Sequence, residues 1–133
     1  QVSDDAYKSL IRESSIADVL QDISQSDAVI HGIGLAQEMA QRRGYNSIKL
    51  SELREKRAVT ECFGCFFDEH GKVVDRITQV GLQFENLYKI PHIFAFACGA
   101  RKAQAIKAYM PNAPHQTWLI TDEGASNMIL KGK

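Results

Sequence analysis

The chain has 133 residues, of which 44% are hydrophobic and 24% are charged, a composition typical of one globular domain. Its 16 Lys and Arg residues balance its 16 Asp and Glu residues. This balance argues against nucleic acid as the main partner, because neutralising phosphates needs a basic excess. No apolar segment reaches the length of a membrane-spanning helix, so we expect no integral membrane protein.

The first half of the chain predicts helices around one short strand. An apolar run ends in two glycines, Gly32 and Gly34, before the next helical pattern begins, and Gly44 lies where a C-terminal cap is expected. The predicted elements are, in chain order, helices over 4–12 and 15–23, a strand over 28–33, and helices over 35–43 and 47–56.

The second half predicts more strands, joined by turns and helices, and Asp122 is a natural N-cap for the last helix. The predicted elements are a strand over 58–67, a turn over 68–71, a returning strand over 72–78, a helical turn over 82–87, a strand over 93–98, a helix over 100–109, a strand over 117–121 and a helix over 123–130. Strands separated by helices indicate an α/β fold with a mainly parallel sheet and helices on both faces, and the hairpin adds an antiparallel element.

Three cysteines, Cys62, Cys65 and Cys98, invite either a metal or redox interpretation or a structural one. Cys62 and Cys65 have CxxC spacing, but no second such pair or paired histidine completes a zinc site. Their apolar surroundings are typical of a buried strand. We therefore predict three buried thiols, no metal and no cofactor.

Two glycine turns between a strand and a helix are the candidate binding elements. At 31–34, HGIG lets a ligand approach the backbone, although a tight strand-to-helix turn is the explanation we favour for this motif taken alone. At 99–102, Gly99 and Ala100 precede Lys102 in a first helical turn, where the helix dipole disfavours a cation unless it meets an anion. A solvated surface lysine is the alternative. In open α/β sheets ligands bind at these strand ends.

Two further charged groups are candidates. Arg42 and Arg43 end one predicted helix, and we assign C-terminal capping to one of the two. Glu61 lies within an apolar strand, so its carboxylate either faces solvent or binds a group such as a sugar hydroxyl. No catalytic Ser-His-Asp or Cys-His arrangement is evident in the sequence.

Short segments in order resemble the effector-binding domain of SorC-type transcriptional regulators. The resembling segments are HGIG at 31–34 with MAQRR at 39–43, AVTECFG at 58–64, VGLQ at 80–83, Gly99 with KAQAI at 102–106, and LITDEGA at 119–125. The resemblance implies a Rossmann-like three-layer α/β/α domain related to glucosamine-6-phosphate deaminase and ribose-5-phosphate isomerase. It also implies a phosphorylated sugar effector such as fructose-1,6-bisphosphate.

The resemblance assigns effector-binding roles to particular positions of this chain, with Lys102 as the phosphate-binding lysine. The implied effector-binding residues are Gly32, Gly34, Arg42, Glu61, Gly99, Ala100 and Lys102. It implies that residues 1–133 form the C-terminal part of one effector domain, with operator DNA bound only through an N-terminal domain outside this chain. We expect a cytoplasmic, non-enzymatic homo-oligomer. The alternative is a sugar-phosphate isomerase or deaminase of the same fold.

Overall fold

The computed structural model describes residues 2–132 and confirms the α/β fold class. Its helices are α1 (Asp4–Leu10), α2 (Ser14–Ser24), α3 (Ala36–Arg42), α4 (Ser47–Glu55), α5 (Ala103–Tyr109) and α6 (Glu123–Lys131), with 3₁₀ turns at Phe84–Lys89, Ala100–Lys102 and Met110–Asn112. Its strands are β1 (Ala28–Gly32), β2 (Gly34–Leu35), β3 (Ala58–Cys62), β4 (Cys65–Asp68), β5 (Val73–Arg76), β6 (His92–Phe96) and β7 (Thr117–Ile120). Within the described part, no helix has the length and apolarity to cross a membrane.

The parallel sheet has the strand order β1-β6-β7, as expected of strands linked through helices. Ile93 in the middle strand lies opposite Val29 on one side and Thr117 on the other. Ile93 and Ala95 are fully buried, because alternate residues of β6 point into the core. The opposite face carries Trp118, which is 68% exposed.

The second sheet is antiparallel, with the order β2-β3-β4-β5, and it includes the two-residue strand β2 that the sequence analysis missed. The predicted single strand over 58–67 is wrong. Phe63 and Gly64 form a two-residue loop between β3 and β4, with φ angles of 52° and 76°. Two successive positive φ values match the twist of a tight hairpin, so the chain reverses where a continuous strand was predicted.

The prediction of three buried thiols is correct for Cys62 and Cys65 and wrong for Cys98. Cys62 lies directly opposite Cys65 in the hairpin, where both side chains are covered by the core. Cys98 is exposed because β6 ends at Phe96, so Cys98 belongs to the following loop instead of the buried strand.

Helix ends largely follow the predicted capping signals. Asp122 caps α6 by accepting a hydrogen bond from the backbone N–H of Ala125 at 2.9 Å, and Gly44 adopts a φ of 76° just after α3. The predicted helix over 100–109 begins as a 3₁₀ turn before α5. One core cluster joins α5, the parallel sheet and the hairpin, and a second lies between α3, α4 and the hairpin.

Candidate functional site

A cavity of about 330 Å³ opens where the two sheets separate. β1 ends at Gly32, and two residues later Gly34 pairs with Glu61 of the antiparallel sheet. The gap therefore lies beyond the carboxyl end of a parallel strand, where α/β proteins bind ligands. The residues lining it are Gly32, Ile33, Gly34, Met39, Arg43, Glu61, Cys62, Phe63 and Lys102.

Lys102 supplies a positive charge at this cavity. Its side chain is half-buried, and Nζ donates a hydrogen bond to the carbonyl oxygen of Ile33 at 2.7 Å. Within residues 2–132 it forms no ion pair, although a lysine ammonium has three N–H donors. Burial lowers the pKa of Lys102, partly offset by the charge of Glu38. The ammonium thus keeps donors available for an incoming anion.

Gly34 allows the backbone of the cavity wall to pack closely. A Cβ atom at this position would lie 2.6 Å from Cγ of Met39 and 2.9 Å from the carbonyl oxygen of Glu61. The hydroxyl of Thr60 also donates a hydrogen bond to the Gly34 carbonyl at 2.9 Å. The glycine is therefore required by the close approach of α3 and β3.

Glu61 is 3% exposed and lies in the wall of the cavity, so the solvent-facing alternative for its carboxylate is wrong. Its Oε1 accepts hydrogen bonds from Nη2 of Arg43 at 3.0 Å and from the backbone N–H of Gly64 at 2.7 Å. Oε2 has no hydrogen-bond partner among the described residues. One oxygen thus holds the carboxylate in place, while the other remains available to accept a hydrogen bond.

The two arginines after α3 have different positions. Arg43 lines the cavity and pairs with Glu61, whereas Arg42 is exposed and lies outside the cavity lining. The charge of Arg42 nevertheless contributes to lowering the pKa of Lys102, after the larger influence of burial. The sequence analysis chose Arg42 and missed Arg43, because consecutive helical residues point in different directions that spacing alone does not rank.

Gly99 and Ala100 lie apart from this cavity. Gly99 has a φ of 97°, and its N–H donates a hydrogen bond to Oδ2 of Asp122 at 2.9 Å. Ala100 lines a separate cavity of about 420 Å³ together with Arg101 and Lys107. The structure therefore brings together Gly32, Gly34, Glu61 and Lys102, but places neither Gly99 nor Ala100 among the residues that line their cavity.

Phe63 is a further cavity residue that the sequence analysis missed, and the FG pair of the hairpin loop is the signal that could have identified it. Its ring lies 4.7 Å from that of His31, measured between centroids. Burial lowers the pKa of His31, opposed by a 3.1 Å hydrogen bond to the carbonyl of Gly32. Across residues 2–132, no group of three or more His, Cys, Asp or Glu side chains is arranged to hold a metal ion.

Comparison with known proteins gives consistent matches over nearly the whole chain. The family described as "Putative sugar-binding domain" matches residues 1–131. The chain is 43% identical over 131 residues to the central glycolytic genes regulators of Bacillus subtilis (strain 168) and Priestia megaterium (strain DSM 319 / IMG 1521). Each of these alignments covers 98% of this chain and 38% of the relative.

Solved structures show the same fold. A SorC family transcriptional regulator from Enterococcus faecalis superposes with a TM-score of 0.89 at 53% identity, over 98% of this chain and 53% of that one. The full-length sorbitol operon regulator SorC from Klebsiella pneumoniae shares the fold with a TM-score of 0.83 at 15% identity, over 98% and 44% of the two chains. The chain spans about two fifths of the length of its curated relatives. It belongs to the sugar-binding domain family of SorC-type transcriptional regulators.

Proposed function

We propose that this chain is the effector-sensing part of a bacterial repressor of glycolytic genes, and that it binds a phosphorylated sugar such as fructose-1,6-bisphosphate. The observation that carries the proposal is the half-buried ammonium of Lys102. It has no counter-ion within residues 2–132 and lies at a cavity beyond the end of a parallel strand. A cation held there without a carboxylate partner favours an anionic ligand.

Each cavity residue has a distinct role in this proposal. Lys102 binds a phosphate group, and the turn at Gly32 and Gly34 lets the ligand approach the backbone. The free Oε2 of Glu61 accepts a hydrogen bond from a sugar hydroxyl. Arg42 would contact a phosphate or a sugar oxygen, since its charge acts on Lys102 and it forms no ion pair in the described part of the chain.

Gly99 and Ala100 would contact the ligand only after a local rearrangement that ligand binding induces. The N–H of Gly99 already binds the carboxylate of Asp122, so a phosphate must displace that carboxylate before it reaches the amide. Glycine has no Cβ atom, so the backbone at Gly99 can rearrange from its φ of 97°. Effector binding would then be coupled to a movement at the start of α6, which Asp122 caps.

The printed names of the relatives support a regulatory role. The two curated relatives are named as regulators of central glycolytic genes, and the Enterococcus faecalis protein as a transcriptional regulator. We propose that the intact protein is a cytoplasmic homo-oligomer without enzymatic activity. Its operator DNA would bind through a domain outside this chain, and the effector would shift its assembly.

Thermal melting in phosphate-free buffer tests the proposal. The panel holds fructose-1,6-bisphosphate, fructose-6-phosphate, glucose-6-phosphate, dihydroxyacetone phosphate, unphosphorylated fructose and inorganic phosphate. A ligand that binds only the folded state raises the Tm with concentration. We expect a saturable rise with a phosphorylated sugar and none with fructose. A flat response to all phosphorylated sugars would contradict the proposal, and turnover of ribose-5-phosphate or glucosamine-6-phosphate would favour the enzymatic alternative.

A further inference from the structure

The backbone of Phe63 has an unusual conformation for its residue type. It is one of two non-glycine residues with a positive φ among residues 2–132, at 52°, and the other is Arg57, at 54°. Phe63 is the first residue of a two-residue hairpin loop, a position that favours glycine, asparagine or aspartate. Backbone strain of this kind concentrates at binding sites. The strain here coincides with the wall of the proposed effector cavity.

The ring of Phe63 is held by a supporting pair of aromatic residues. The ring of His31 lies 4.7 Å from it, tilted by 59°. His31 is itself fixed at both nitrogens, with Nδ1 3.1 Å from the carbonyl oxygen of Gly32 and Nε2 3.4 Å from the hydroxyl of Tyr109. Tyr109 is buried in the core. The orientation of the Phe63 ring is therefore fixed by its contact with His31, which Tyr109 in turn holds in place.

Core packing alone does not account for this position. The nearby Phe66 and Phe67 are 0% and 1% exposed, whereas Phe63 stays only half-buried and faces the cavity that Lys102 and Glu61 also line. The wall thus combines a cation, a carboxylate oxygen and an aromatic ring. A phosphorylated sugar has matching groups, since it carries a phosphate, hydroxyls and an apolar patch of carbon-bound hydrogens.

We propose that Phe63 is a specificity-determining residue, against whose ring the carbon-bound hydrogens of the sugar pack. An aromatic face carries partial negative charge and attracts such weakly positive hydrogens. The inference rests on the proposed function, because it assigns a contact within the same cavity. It adds an apolar contact, beside the hydrogen bond from a sugar hydroxyl to Glu61, by which the cavity would distinguish a sugar phosphate from inorganic phosphate.

Three variants distinguish the effect of the Phe63 ring on ligand binding from the effect of a change at a residue with positive φ. Phe63→Asn removes the ring and suits the positive φ, so it should fold, whereas Phe63→Tyr keeps the ring. Arg57→Asn is the matched control, since it makes the same backbone change at an exposed site outside the cavity. Calorimetric titration measures the affinity of each protein for fructose-1,6-bisphosphate and for inorganic phosphate, and thermal melting confirms that each is folded.

We expect Phe63→Asn to bind fructose-1,6-bisphosphate about three- to tenfold more weakly, the range of one aromatic contact, with unchanged binding of inorganic phosphate. Phe63→Tyr and Arg57→Asn should bind like the wild type. If Phe63→Asn binds the bisphosphate like the wild type, or loses both ligands equally, the inference is wrong, while binding of a sugar phosphate by the wild type still supports the proposed function. If the wild type binds no sugar phosphate, the proposed function and this inference both fail.

Discussion

The carboxylate of Glu61 and the guanidinium of Arg43 form an ion pair in the wall of the cavity, with 3.0 Å between Oε1 and Nη2. The same oxygen accepts the backbone N–H of Gly64 at 2.7 Å. One atom thus connects the end of α3, the strand β3 and the hairpin loop that carries Phe63. The geometry of the proposed effector site depends on this connection.

Replacing Glu61 by glutamine should test that connection. Glu61→Gln keeps an oxygen for the N–H of Gly64 but leaves Arg43 partly buried without its counter-charge. We expect the free energy of unfolding to fall by about 1–3 kcal/mol, measured by denaturant titration. The control is Glu69→Gln, which breaks the exposed pair with Arg57 and should cost at most about 1 kcal/mol. Equal effects of the two changes would show that the Glu61 pair has no special structural role.

Two neighbouring glycines should respond differently to alanine. At Gly34 a Cβ atom would lie 2.9 Å from the carbonyl oxygen of Glu61, whereas at Gly32 the nearest atom would be the carbonyl oxygen of Phe96 at 3.9 Å. We expect Gly34→Ala to lower the free energy of unfolding by about 1–3 kcal/mol, because overpacking forces the backbone to shift. Gly32→Ala should cost clearly less. The reverse ranking in chemical denaturation would contradict the close packing of β2 against β3.

The carboxylate of Asp122 accepts the hydrogen bond of the Gly99 amide, which the proposed function assigns to a phosphate of the effector. Asp122→Asn retains an oxygen that caps α6 but removes the negative charge, so we expect higher affinity for fructose-1,6-bisphosphate by calorimetry. Asp22→Asn makes the same change of net charge on an exposed residue of α2, outside the cavity lining, and should leave the affinity unchanged. An unchanged or lower affinity of Asp122→Asn would remove Gly99 and Ala100 from the proposed site.

Protonation of His31 should destabilise the fold. Burial lowers the pKa of His31 below its ordinary value of 6.5, so between the two values the unfolded chain binds more protons than the folded one. The free energy of unfolding therefore falls as pH drops below about 6.5. Denaturant titrations at several pH values should show this decline in the wild type and a smaller decline in His31→Gln. An identical decline in both proteins would mean that His31 does not contribute to the pH dependence of the free energy of unfolding.

Three carboxylates also make stability depend on pH, but at lower pH than His31, so their effect can be distinguished from that of His31 in the denaturant titrations. Hydrogen bonds from the backbone lower the pKa of Asp68, and those from Ala125 and Gly99 lower the pKa of Asp122. The hydrogen bond from Arg76 does the same for Glu85. Folding favours the charged form of each group, so the stability they contribute is lost only as pH falls below the ordinary carboxyl range.

Local signals in the sequence predicted most of the fold. Asp122 caps α6, and the apolar run around Ile93 forms the central parallel strand, because capping and burial depend on a few adjacent residues. Gly32 and Lys102, two of the predicted effector-binding residues, line one cavity, since the ends of neighbouring parallel strands share one edge of the sheet.

The remaining features depend on contacts that sequence spacing does not encode. Apart from Thr60 and Glu61, the 58–67 segment holds only apolar residues and one glycine, so its pattern did not reveal the reversal at Phe63. Arg42 and Arg43 are adjacent, and only the position of Glu61 determines which one lines the cavity. The N–H of Gly99 is bound by Asp122, which is 23 residues away in the chain.

The charge of Lys102 is the central element of the account, and Lys102→Gln tests it most directly. The glutamine amide is also a hydrogen-bond donor, so the variant removes the charge of Lys102 while retaining a polar donor at this position. Lys107→Gln is the control, because Lys107 is exposed on α5 and lies outside this cavity. Calorimetric titration with fructose-1,6-bisphosphate should show that Lys102→Gln binds about tenfold more weakly or worse, while Lys107→Gln binds like the wild type. Wild-type affinity in Lys102→Gln would contradict the account.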